Sequence, residues 1–216
     1  LIQKKRLDPS TAIQVISKKK TSGEIKFING DKIRISKKLN PVLIGGAKSF
    51  LSQGNQLLKA IGNNSPIFFS GSNAFNNFLD LKMKIKNPKY LILTGSEIKK
   101  LKVKLNKKIF SQMYLKGIIA EQIFLPKYLN RISKNIILSD SVAENPLMLI
   151  GKLFIKLKIK KMHLAFFDGD IDSKRERIVF DETQESINKL MKQKLKITTI
   201  TKSEFELGYN NPWLND

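Results

Sequence analysis

From Val42 onward the chain alternates between two hydrophobic patterns. Short, nearly unbroken apolar runs are each followed by a longer segment with apolar residues three and four apart. The first run, Val42-Leu43-Ile44, ends at Gly45-Gly46, and Ser49 to Ile61 then carries helical spacing until Gly62-Asn63-Asn64. Ile67-Phe68-Phe69 ends in Ser70-Gly71-Ser72-Asn73, and the spacing predicts a helix through Phe75, Phe78 and Leu79. Tyr90-Leu91-Ile92-Leu93 ends in Thr94-Gly95-Ser96, and Glu97 to Leu105 places Ile98, Leu101 and Leu105 at helical spacing. Ile118 to Leu125 and Ile136-Ile137-Leu138 are further expected strands. Pro146 to Leu157 predicts a helix, with Asn145 as its cap and Pro146 in its first turn. Met162 to Phe167 predicts a strand running into Asp168-Gly169-Asp170, Thr183 to Lys192 a helix, and Leu195 to Thr201 a last strand.

Apolar runs without polar alternation mark strands covered on both faces, and strands alternating with helices imply a parallel sheet. The expected fold class is therefore α/β and Rossmann-like: a mostly parallel sheet with helices on both faces, over residues 41–208. Residues 1–40 differ. There Glu24–Ile28 and Asp31–Ile35 flank Asn29-Gly30, which supplies the two positive-φ positions of a type I′ hairpin turn. A two-stranded hairpin is marginal alone, so this segment is expected as a small appendage packed on the main domain. Asn40-Pro41 then punctuates the chain, and 209–216 reads as a loose polar tail.

Composition narrows the chemistry. With no cysteine there is no disulfide framework and no thiolate metal site, which fits a reducing cytoplasm. A single histidine, His163, leaves little material for zinc or for a Ser/His/Asp arrangement, and its place inside a strand reads as structural. No apolar run reaches the roughly 18–20 residues of a membrane span. The chain begins at Leu1 and reads as a piece of something longer.

The formal net charge is +22. Such a charge attracts nucleic acid, an anionic membrane face or small anions. Yet of 40 basic residues only Arg6, Arg34, Arg131, Arg175 and Arg177 are arginines, and arginine is the residue that forks onto phosphate and base edges. A lysine, isoleucine and asparagine bias also follows from an AT-rich genome. The lysines are spread along the sequence, so specific nucleic-acid recognition is not expected.

In parallel sheets ligands sit at the carboxyl ends of the strands, near the reversal of strand order. Gly45-Gly46-Ala47-Lys48-Ser49 joins a strand to a helix; glycines there let a phosphate approach backbone N–H groups at a helix amino end. The spacing is neither a P-loop nor a full Gly-x-Gly-x-x-Gly fingerprint. Ser70, Ser72 and Asn73 end the next strand and offer groups for ribose or base, or simply cap a helix. Asp168, Gly169 and Asp170 form an acidic turn in a basic chain. Asp168 and Asp170 are the candidate catalytic carboxylates, for a general base or sugar hydroxyls, with turn chemistry as the competing reading. No metal site is expected.

Three stretches carry a family resemblance. Leu147 to Asp170, ending in Phe167-Asp168-Gly169-Asp170, resembles a segment of the carboxyl-terminal domain found behind HMG-CoA-lyase-like, 4-hydroxy-2-oxovalerate-type aldolase barrels. Arg6 to Phe27 resembles the join between barrel and domain, and Pro41 to Phe50 its first strand and glycine turn. The same pattern is more distantly similar to sialyltransferase-like and motility-accessory-type glycosyltransferases, with Gly45, Gly46, Ser49 and Asn73 as the matching positions. Those transferases place a catalytic histidine where the stretch after Asp170 has none. The resemblance implies a cytidine-nucleotide or nucleotide-sugar ligand, no cofactor, an aldolase-like barrel of the parent protein as partner, and a place in surface-polysaccharide metabolism. The alternative function is a non-enzymatic module that binds polyanions or a protein partner.

Overall fold

A computed structural model of the chain describes residues 27, 40–61, 65–124, 126 and 136–209. Eight strands form one sheet: β1 (Val42–Ile44), β2 (Ile67–Ser70), β3 (Lys89–Leu93), β4 (Leu115–Glu121), β5 (Ile136–Ser139), β6 (Lys161–Ala165), β7 (Lys196–Thr199) and the two-residue β8 (Gly208–Tyr209). Their order is β5-β4-β3-β2-β1-β6-β7-β8, and every pairing is parallel. The architecture is Rossmann-like α/β. Strand order reverses at β1, because the chain builds outward from β1 to β5 and then returns to lay β6 on the other side of β1.

The helices are α1 (Ser49–Ala60), α2 (Gly71–Asp80), α3 (Lys107–Gln112), α4 (Pro146–Lys156) and α5 (Lys174–Lys192). Side chains alternate across a strand, so each apolar run feeds two cores. Leu43, Phe68, Ile92, Ile119 and Leu164 pack with α4 and α5. Ile44, Phe69, Leu91, Ile118 and Ala165 pack with α1 and α2 on the opposite face. This two-sided burial is the reason the strands read as continuous hydrophobic runs.

Several boundaries differ from the sequence reading. The expected helix over Glu97–Leu105 is a 3₁₀ turn, Glu97–Lys100, followed by an irregular stretch. Asn76 of α2 explains it. Its side chain donates to Lys100 O at 2.9 Å and accepts from Lys102 N at 2.9 Å, holding that backbone as a strand partner would. Helix α5 begins at Lys174, well before Thr183, because Ser173 and Glu176 form a reciprocal capping box. Strand β6 stops at Ala165 rather than Phe167, because Phe166 turns to φ 59°. β4 lies earlier than expected and ends at Glu121. Helix α3, capped by Asn106, was not anticipated.

The expected Asn29-Gly30 hairpin lies outside the described residues. Phe27, which is described, is buried in the α4–α5 core and makes an isolated antiparallel bridge to Ser139 of β5. Tyr209, expected to start the tail, pairs with Thr199 as part of β8, and 210–216 lie outside the described residues. Among the described residues no helix is long and apolar enough to cross a membrane.

His163 sits in β6, with its Nδ1 2.8 Å from Thr198 Oγ1. Burial, with Lys161 and Lys196 adding to it, pulls its pKa down to about 4. The unfolded chain therefore takes up this proton at higher pH than the folded chain, and falling pH favours unfolding. The His163 contribution is complete above about pH 6.5 and is withdrawn as pH falls toward about 4. Full withdrawal amounts to about 3 kcal/mol at about 1.4 kcal/mol per tenfold change in proton affinity. Denaturant titrations of the parent and His163→Gln across that window should show a steeper loss in the parent; parallel curves would refute it.

Candidate functional site

The reversal of strand order opens a cleft of about 640 Å³ at the carboxyl ends of β1 and β6. Gly45, Gly46, Ser70, Asn73, Asp168, Gly169 and Asp170 all line it. The two residue groups that the sequence holds more than a hundred positions apart are thus brought together by the β1–β6 pairing.

The geometry assigns the glycines a packing role first. A Cβ on Gly45 would lie 2.1 Å from Phe166 O, and one on Gly46 would lie 2.8 Å from Asn73 Cβ. Gly45 lets β1 close against the end of β6, and Gly46 lets α2 begin against the β1 turn. The expectation that three adjacent amides face a phosphate is corrected. Gly45 N–H donates to Ala165 O at 2.7 Å and Ala47 N–H to Phe166 O at 3.4 Å. Among the described residues, Gly46 N–H alone of the three has no such bond to β6.

The acidic turn is held from three sides. Ser49 Oγ donates to Asp168 Oδ1 at 2.8 Å, Glu204 N–H donates to Asp168 O at 2.8 Å, and Ser203 Oγ donates to Phe167 O at 2.6 Å. Phe166, in left-handed backbone, and Gly169, at φ 81°, set its path; a Cβ on Gly169 would lie 3.1 Å from the Phe180 ring. Asp168 is half-buried and engaged, whereas Asp170 is exposed. Asp168 therefore stands beside the start of α1, not on the wall facing it. Ser49 reaches the site only through Asp168.

Ser72 does not line the cleft. Its hydroxyl is buried without a hydrogen-bond partner among the described residues, and its N–H donates to Glu97 Oε1 at 3.3 Å. Glu97 also accepts from Thr94 N–H at 3.2 Å, so a carboxylate of the protein fills the amino end of α2. Glu121, fully buried, repeats this device at β4, accepting from Gly95 N–H and Ala143 N–H at 2.7 Å each. Burial pushes its carboxyl up, and the charge of Glu97 adds to the shift, against the two amide bonds.

Lys48, Arg175, Glu176, Phe167 and Phe180 line the cleft without having been anticipated. Ser173-Lys174-Arg175-Glu176 was legible as a capping box and would have placed Arg175 and Glu176 at a helix start. Thr94-Gly95-Ser96-Glu97 carried a local Thr-x-x-Glu spacing, which pairs Glu97 with Thr94 N–H, but nothing local pointed to Ser72, 25 residues away. Glu176 is held below the usual carboxylate range, first by its hydrogen bonds with Ser173 and further by the Lys48 charge. Among the described residues no cluster of His, Cys, Asp and Glu is arranged to hold a metal.

Gly45→Ala should destabilise the fold by about 3 kcal/mol or more, since its Cβ meets backbone that cannot yield as a side chain would. Ser49→Ala loses one half-buried hydrogen bond and should cost about 1 kcal/mol. Chemical denaturation of both variants checks the order; a Gly45→Ala protein as stable as Ser49→Ala would contradict the packing account.

No family model, no curated protein and no solved structure matches this chain, so the functional argument rests on the residues of the cleft itself.

Proposed function

We propose that the chain binds a phosphorylated, hydroxyl-rich small molecule of the nucleotide or nucleotide-sugar class in this cleft. The observation that carries the reading is the position of the cleft, at the carboxyl ends of parallel strands where strand order reverses, which is where open α/β sheets take ligands. Its volume falls within the roughly 300–1,000 Å³ of small-molecule sites. Lys48 and Arg175 supply cations for a phosphate, Asn73 and Asp170 supply hydrogen bonds for ribose or sugar hydroxyls, and Phe167 with Phe180 supplies apolar wall for a ring. Phe180 is itself braced by Phe205, stacked at 4.7 Å.

On this reading a transferase reaction would use Asp170 as its base, because Asp168 is engaged by Ser49. The likeness to glycosyltransferases and to the domain behind aldolase barrels would then place the module beside such a barrel in surface-polysaccharide metabolism.

Calorimetric titration of the full chain with cytidine and uridine nucleotides tests the site. Lys48→Gln, Asn73→Ala and Asp170→Asn carry exposed side chains, so each should stay folded and weaken binding about fivefold to tenfold, the loss of about 1 kcal/mol per polar contact. No binding by the parent, or equal binding by all three variants, would defeat the proposal.

A further inference from the structure

Over the described connections, the fold sets an edge of lysines without carboxylates against an edge where lysines and carboxylates are mixed. Four connections run, over described residues throughout, from a helix end to the amino end of a strand: 81–88, 113–114, 157–160 and 193–195. They hold six lysines, Lys82, Lys84, Lys86, Lys158, Lys160 and Lys194, all exposed, and no carboxylate. The described connections at the carboxyl ends, 45–48, 94–106, 140–145, 166–173 and 200–207, hold eight carboxylates and six lysines. The last turns of α1, α4 and α5 add Lys59, Lys156 and Lys192, whereas Lys189 of α5 is paired with Glu144 and Glu185. Lys89 does not contribute, because its ammonium is buried and donates to Ile85 O and Asn87 O.

Part of this sorting follows from helix dipoles, which favour cations at helix carboxyl ends. A second observation goes further. Lys82, Lys158 and Lys194 follow α2, α4 and α5 at φ 51°, 60° and 68°. That left-handed position is ordinarily filled by glycine or asparagine, and another residue there is strained. In a chain rich in asparagine, three such positions have taken lysine.

We infer that the amino edge of the sheet is a docking surface for an anionic lipid bilayer, which turns the cleft, at the opposite edge, away from the membrane. The lysines come from connections on both helix layers and span β3 to β7, about 19 Å at ~4.8 Å per strand, so they form a field rather than a track. A field suits a planar anionic surface, to which lysines add attraction one by one. The same edge presents Tyr114, about half exposed, a residue type that favours the membrane interface. The four described connections of this edge contain no arginine. Arg175 and Arg177 stand at the start of α5, by the cleft, so these connections offer no forks for nucleic-acid phosphates and bases. This proposal does not depend on what the cleft binds.

Sedimentation with vesicles tests it, using the full chain at physiological ionic strength. Phosphatidylcholine vesicles containing phosphatidylglycerol should bind the chain, and pure phosphatidylcholine should not. Replacing Lys82, Lys158 and Lys194 together by Asn should weaken vesicle binding ~tenfold or more. The melting temperature should hold or rise, because asparagine tolerates the left-handed backbone. Replacing Lys174, Arg177 and Lys202 by Gln removes the same charge from the opposite edge and should change binding little. Equal weakening by the two triple variants would make net charge, not the edge, responsible and overturn the proposal. So would absence of binding to the anionic vesicles, or tighter binding of a single-stranded DNA oligomer than of those vesicles.

Discussion

The two halves of the sheet are joined by three residue pairs. Val42, Leu43 and Ile44 of β1 lie beside His163, Leu164 and Ala165 of β6, and nothing else in the strand order links β2–β5 to β7–β8. The seam closes because Gly45 has no side chain to hold it off Phe166, and because Gly45 N–H and Ala47 N–H donate across it. Phe166 then leaves the strand in left-handed backbone, its ring stacked on Phe50 of α1 at 4.8 Å and its N–H donating to Thr201 Oγ1. One strained residue, braced by Phe50 and Thr201, thereby sends the Asp168 turn over the end of β1. Strain of this kind persists only where the surroundings over-determine it. The cleft is a consequence of that seam.

Much of the fold was legible because burial on both faces leaves an unambiguous trace. Runs such as Ile67-Phe68-Phe69 have no polar alternation to mislead, and a strand is the only short element that hides every side chain. Some misreadings come from hydrogen bonding at long sequence separation, others from local capping such as the Ser173–Glu176 box that starts α5. Ile98, Leu101 and Leu105 fit a helix on spacing alone, and Asn76, which draws that segment into an irregular path, belongs to another helix. The candidate site divides the same way. Glycines and aspartates at strand ends were visible as punctuation, but their meeting depended on β6 returning to β1, which no local pattern encodes. Ser72 was a reasonable candidate by position; its N–H is taken by Glu97, 25 residues away, and its hydroxyl is buried.

Carboxylates of the protein already occupy many of the loop amides along the edge where the strands end. In the β3–β5 half, Glu97 takes the amides of Ser72 and Thr94, Glu121 those of Gly95 and Ala143, and Asn145 caps α4 through Met148 N–H. Loops that would otherwise offer N–H groups to an anion are already satisfied from within. Burying Glu121 is tolerable because each of its oxygens accepts a strong amide bond, the condition under which a buried carboxyl does not unfold its surroundings. At the seam the inventory is mixed instead: Lys48 and Arg175 line the cleft together with Asp170 and with Glu176, which is held by Ser173.

The electrostatics then operate on two scales. Over the whole body, a net charge of +22 draws anions from a distance and is screened by salt within about 10 Å. Inside the cleft the carboxylates Glu97, Asp168, Asp170 and Glu176 outnumber the cations Lys48 and Arg175, so charge alone does not retain an anionic ligand there. Retention has to come from short-range fit: a phosphate near Lys48 or Arg175, hydroxyls near Asp170 and Asn73, and a ring against Phe167 and Phe180. A bare polyanion meets the first requirement and fails the others, and the Asp168-to-Asp172 carboxylates repel its neighbouring charges. The lysine edge at the far end of the strands imposes no such condition, since it answers to charge density and not to shape. One fold thus separates general attraction to anions from selective binding by placing them at opposite ends of the same strands.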